Sequence, residues 1–376
     1  MAPAELNVYW NEETLKHEAP DGALHLRKPA ILDTAESHPD QPERIRNIKR
    51  MIEVAFGDAA RFESVDRAPR ELIEIVHDPD YIDWFESFCA DGGGRIEDTT
   101  TGVNEHSFEA ARYAANAAVE ATRAALRDEA GVHYALCRPS GHHAQPHCAD
   151  GFCFFNNAAI AAEAAREEAA DRVAIVDWDV HHGNGTQEIF YDRDDVLLIS
   201  LHNDHGAWHP EYHPQEGSLE EVGVGDGEGC TVNVPVPPGT GDEGYEHVFE
   251  RIVEPVVRAY EPDLLVASAG QDAGVSDPLA RNLVTRPGFR TIANRFRELA
   301  TETADGQYVL IQEGGYQVSH LAFATLGVLE GALDTTVSLE DHGTGDPFDR
   351  YGESVGLAEQ WTDRAVEHHA VHWPLE

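Results

Sequence analysis

Short apolar runs without alternation constrain this chain most. They lie at residues 132–137 (VHYALC), 173–177 (VAIVD), 196–201 (VLLISL), 263–269 (DLLVASA) and 308–312 (YVLIQ). A strand with one wet face shows a period of two; a strand covered on both faces does not. Between these runs lie Ala-rich stretches of helical character, clearest at 158–170 (AAIAAEAAREEAA), 243–260 and 108–126. Strand–helix alternation of this kind predicts an α/β fold: an open, mostly parallel sheet with helices on both faces. No repeat, low-complexity tract or linker divides the 376 residues, so one domain spanning 1–376 is expected. The glycine-rich stretch 223–229 (GVGDGEG) reads as a turn, and the acidic, turn-rich residues 335–376 as a late layer over the body.

Charge limits the partners. Lys and Arg number 27 against 69 Asp and Glu, a formal net charge of −42, and the only lysines are Lys16, Lys28 and Lys49. Nucleic-acid surfaces need clustered Lys and Arg, and anionic membranes attract basic segments, so neither partner is expected. Disorder is not implied, because a chain 41% hydrophobic can bury a real core. Such a charge suits either a cationic ligand or a salty cytoplasm; near molar salt the Debye length is about 3 Å and self-repulsion nearly vanishes. Scarce Lys and abundant Asp and Glu favour the salty cytoplasm. No apolar run is long enough for a transmembrane helix, and the N-terminal residues lack the apolar core of a secretory signal. Five scattered cysteines without a CxxC pair fit reduced thiols.

In open α/β sheets, chemistry collects at the carboxyl ends of the strands. Polar residues follow four of the runs there: R-P-S-G-H-H (138–143), W-D-V-H-H-G-N-G-T (178–186), G-Q-D (270–272) and E-G-G-Y (313–316). Asp179 and His181 stand two apart, so in extended backbone both reach the same side and one ion. Asp272 can add a third ligand from a neighbouring strand end. Two carboxylates and an imidazole leave an open position, as a catalytic metal needs. His142 and His143 each need a partner on Nδ1 to fix the tautomer, and Asp177 and Asn184 are the candidates. Tyr316, after two glycines, can bring a hydroxyl to a developing oxyanion.

Taken together, these segments resemble the histone deacetylase superfamily, with its arginase–deacetylase fold. The resemblance adds H-P-D-Q-P-E-R (38–44), H-D-P-D-Y-I (77–82) and G-F-C-F-F-N-N (151–157), in the family's order; D-W-D-V-H-H-G-N-G-T and D-P-L-A (277–280) are similar to its class II branch and bacterial and archaeal relatives. It implies Zn²⁺, with Fe²⁺ as an alternative, on Asp179, His181 and Asp272. It implies His143 as general base and then acid, Asp177 bonded to His142, and Tyr316 polarising the scissile carbonyl. Gly151 and Phe152 would line an acyl-lysine tunnel, with Gly314 also on the substrate side. One K⁺ site would use Asp177, Asp179, His181, Ser200 and Leu201; another would lie near Phe190, Arg193 and Val196.

Four positions depart from the family pattern. Gln271 replaces the usual Phe, implying an altered rim. Asn184 replaces the class I Asp, which weakens the charge behind His143. A-W-H-P (207–210) replaces F-P-G, making Trp208 the candidate second tunnel aromatic. Leu279 stands where a polyamine-selective branch has Glu, which argues against polyamines. The implied activity is metal-assisted hydrolysis of an N-acyl amide, with an acylated protein lysine or a small acyl-amine as substrate. The alternatives are an acetylpolyamine amidohydrolase, a non-catalytic acyl-lysine binding module, and a binuclear manganese ureohydrolase. The last lacks its bridging Asp/His set here.

Overall fold

A computed structural model describes residues 5–20, 33, 37–96, 101–127, 131–204, 216–279, 281–339, 353 and 355–376. Its strands are β1 (Leu6–Trp10), β2 (Ala60–Ser64), β3 (Gly94–Arg95), β4 (Gly102–Val103), β5 (Val132–Ala135), β6 (Val173–Asp177), β7 (Val196–Asn203), β8 (Thr231–Val236), β9 (Leu264–Ala269) and β10 (Tyr308–Gln312). Eight form one sheet in the order β2-β1-β5-β10-β9-β6-β7-β8, while β3 and β4 pair apart and antiparallel. Every pairing within the large sheet is parallel.

Parallel pairing accounts for the unalternating runs. Successive strand residues point to opposite faces, yet both faces are apolar. Val173 and Ile175, Leu264 and Val266, and Val309 and Ile311 share a core with the Ala-rich helices Ser107–Leu126 and Asn157–Glu168. Ala174 and Val176, Leu265 and Ala267, and Leu310 share the other core with helices Glu43–Phe56, Arg286–Thr303 and Val318–Ala332. Helix Val355–His369 adds Ala365 and Val366 to that second core.

The expected helix over 243–260 is one helical run interrupted by a π turn, Phe249–Val253, between Asp242–Val248 and Glu254–Tyr260. Pro255 has no N–H for the helical ladder and its ring crowds the preceding turn, so the backbone widens there. The strand expected over 132–137 ends at Ala135, and the glycine stretch 223–229 is a turn with one 3₁₀ segment, Gly225–Gly227. All five cysteines are free thiols, and no described helix is long and apolar enough to cross a membrane.

Candidate active site

The four polar segments leave four strands that are consecutive across the sheet: β5, β10, β9 and β6. In register, Asp177 faces Ser268 on one side and Ser200 on the other. The residues just beyond this row therefore share one rim.

Metal-type donors gather there. One ligand atom each from Asp179, His181 and Asp272 lies within 4.8 Å of the others. His181 Nδ1 is 2.9 Å from Asp272 Oδ2 and 3.2 Å from Asp179 Oδ1. Each acid also receives a backbone N–H: Gly314 to Asp179 Oδ2 at 2.8 Å and Val180 to Asp272 Oδ1 at 2.8 Å. Both carboxylates are fully buried. Burial and the neighbouring Asp179 charge push Asp272 up to about 7. Burial disfavours charge on His181, but Asp272 and Asp179 outweigh it and raise the imidazole to about 10. Two like charges in one dry place need a cation to offset them, and oxygen and imidazole donors suit Zn²⁺ or Fe²⁺. The backbone leaves room only for glycine beside them. A Cβ on Gly314 would stand 2.3 Å from Asp272 Oδ2, and one on Gly270 would stand 2.1 Å from Asp179 Oδ2. The residues thus fit the metal.

Beside this set, His142 Nδ1 meets Asp177 Oδ2 at 2.9 Å and His143 Nδ1 meets Asn184 Oδ1 at 2.6 Å. An oxygen acceptor on Nδ1 fixes the N–H there and makes Nε2 the basic nitrogen. Burial opposes charge on His142, yet Asp179 and Asp177 hold its pKa well above the ordinary histidine value. The rings of His142 and His143 lie 4.1 Å apart, and that of His143 is 5.9 Å from His181.

Gly151 takes φ +51°, and a Cβ there would stand 2.1 Å from His143 Cδ2. Phe152 follows at φ +69°, a strained value for a side chain of its size. Its ring meets that of Tyr316 edge-on at 5.6 Å and that of His38 at 4.8 Å. Tyr316 is buried, and burial keeps its phenol far above the usual range, hence protonated and able to donate.

Leu279 is half-buried. Trp208 lies outside the described residues. Gly314, expected on the substrate side, sits against the metal-type donors. Gln271, next to Asp272, is buried, with its side chain bonded to Ala269 O and accepting from Thr325 Oγ1 at 3.0 Å. A buried amide without partners would cost about 1–3 kcal/mol, so the side chain turns inward to satisfied positions. Ser200 Oγ is 3.0 Å from His202 Nδ1, and the Arg193 side chain pairs with Glu163 and Asp195 over the Phe190 ring. Leu201 and Val196 are buried strand residues.

Supporting residues escaped the sequence reading as site residues. Arg44, fully enclosed, binds Asp40, donates Nη2 to Glu313 O at 2.8 Å and Nε to Gly315 O, and lies 4.7 Å from the Tyr316 ring centroid. Arg138 holds the same Asp40 at 3.0 Å. Glu313 accepts from Gly141 N at 2.7 Å and His142 N at 3.3 Å, and burial pushes its carboxyl to about 8. The signal available for Arg44 was its place in H-P-D-Q-P-E-R; nothing in the sequence indicated what it would hold.

A profile of the histone deacetylase domain matches residues 38–332. Histone deacetylase 8 of Arabidopsis thaliana is 37% identical, with 100% of this chain and 99% of that protein covered. A histone deacetylase-like amidohydrolase of Pseudomonas aeruginosa is 40% identical over 86% of this chain and 84% of its own length. The crystal structure of the HDA15 HD domain superposes with a TM-score of 0.84 at 31% identity, covering 99% of this chain and 96% of the other. The chain belongs to the histone deacetylase family.

Proposed function

We propose that the protein hydrolyses N-acyl amides of the acetyl-lysine type, releasing a carboxylate and a free amine. The observation that carries this reading is the convergence of the Asp179–His181–Asp272 donors with His142 and His143 on one rim. Asp179, His181 and Asp272 would hold a zinc ion, which when bound would acidify a water and polarise the acyl oxygen. His143 Nε2 takes the water's proton and later returns one to the leaving nitrogen as the C–N bond breaks. Asn184 keeps His143 in the required tautomer with a neutral acceptor. Asp177 accepts from His142 Nδ1 and so fixes the tautomer of the imidazole next to His143. The Tyr316 hydroxyl donates to the acyl oxygen as it gains charge. Phe152 gives the apolar wall that a lysine's methylene stem needs.

His143→Ala and Tyr316→Phe are expected to fold as wild type and lose turnover of an acetyl-lysine reporter, by roughly 10²–10³ for the loss of one oxyanion donor. Near-wild-type turnover in both would sink the reading. Comparing kcat/KM for an acetyl-lysine peptide and N-acetylputrescine tests the substrate class; preference for the diamine would move it to the polyamine alternative. Metal analysis distinguishes Zn²⁺ from Fe²⁺. We assign structural K⁺ to the two sites named from the resemblance, and the charge of −42 to a high-salt setting.

A further inference from the structure

The turn bearing Leu279 and the segment bearing Tyr316 meet on one carboxylate. Asp277 Oδ2 accepts the N–H of Tyr316 at 2.6 Å and of Gln317 at 3.3 Å. Its Oδ1 accepts the N–H of Leu279 at 2.9 Å, and its own N–H donates to Gly274 O at 2.9 Å. The rest of the E-G-G-Y segment has other anchors: Arg44 takes the carbonyls of Glu313 and Gly315, and Asp179 takes the N–H of Gly314. The backbone N–H of Tyr316 depends on Asp277. That dependence matters because Gly315 has φ +125°, a region without a side chain to confine the torsions before Tyr316. An anchor on the next N–H fixes the direction in which the tyrosine leaves the chain.

We propose that Asp277 is a positioning residue for the hydrolysis: its two oxygens tie the turn 277–279 to the backbone of Tyr316 and so set where the Tyr316 hydroxyl stands. The inference rests on Tyr316 as the oxyanion donor. A carboxylate suits the task because both oxygens only accept, and hydrogen bonds to a charged acceptor are the stronger kind. An asparagine has one acceptor oxygen and cannot serve N–H groups on both sides.

The test is a double-mutant cycle on the full-length, metal-loaded enzyme with an acetyl-lysine reporter peptide. Asp277→Asn is expected to lower kcat by tenfold to about 10²-fold, the scale for a displaced catalytic group, with KM little changed. In the Tyr316→Phe background the same change is expected to have almost no further effect on kcat, because the hydroxyl it positions is gone. Equal fold-losses in both backgrounds would overturn the positioning role while leaving Tyr316 as donor. Full turnover in Tyr316→Phe alone would overturn both. Metal content at the wild-type level is expected in Asp277→Asn, and its loss would reassign the effect to Asp272. Should Asp277→Ala fail to fold, Asp277→Asn and Asp277→Glu carry the cycle.

Discussion

Gly151 shows how much of this site is decided by single residues. A methyl group there would enter the His143 ring, and φ +51° already disfavours any side chain. Gly151→Ala is therefore expected to keep the fold and lower kcat by about 10²-fold, since His143 must move to admit the methyl; steady-state kinetics beside a thermal melt checks this. Buried histidines away from the chemistry act on stability instead. His77 Nδ1 meets Gln145 O at 2.9 Å while its Nε2 accepts the N–H of Asn156 at 2.9 Å, an arrangement only the neutral ring satisfies. Burial lowers His77 from 6.5 to about 4, and the same holds for His17 and His369. Each binds its proton more readily unfolded, so stability is full above about 6.5 and falls as pH drops toward 4. A shift of that size is worth on the order of 3 kcal/mol. Denaturant midpoints should drop steeply across this window, and His77→Gln should flatten the slope; an unchanged slope would remove His77 from the cause.

At the scale of elements, glycine decides how closely two helices approach. Gly327 and Gly331 are one turn apart on Val318–Ala332, and Cβ atoms there would lie 2.4 Å from Arg286 O and 2.2 Å from Arg290 O of Arg286–Thr303. Alanine normally gains about 1 kcal/mol over glycine within a helix. Here the opposite is expected: Gly331→Ala should lower stability by about 1–3 kcal/mol through overpacking, read as a lower denaturant midpoint. The strands that escaped the sequence pattern also have local reasons. β2 (ARFES) is a largely polar edge strand, and β8 (TVNVPV) carries Pro235 at the opposite edge, where a missing N–H is tolerated. β1 (LNVYW) places Asn7 among its apolar residues, which breaks the run.

For the whole molecule, charge is the property that reaches every part. With a net −42, repulsion extends over about 10 Å at 0.1 M salt and about 3 Å at 1 M. The melting temperature and activity are expected to rise as KCl increases across that range; full stability in dilute buffer would count against salt adaptation. The exposed Arg–Glu pairs, such as Arg61–Glu5 and Arg67–Glu109, cannot offset the charge, since pairs of this kind contribute about 0–1 kcal/mol each. The sequence by itself determined the class of fold, because unalternating apolar runs require a sheet covered on both faces. It also determined the local chemistry: Asp179 and His181 share a side by spacing alone, and Tyr316 follows two glycines. Only the tertiary structure decided that β5, β10, β9 and β6 are neighbours, because strand order depends on crossovers that leave no mark in any single segment. The same holds for Arg44, Asp277 and Glu313. They act by gripping backbone N–H and C=O groups, which every residue carries, so no pattern of side chains could have pointed to their partners.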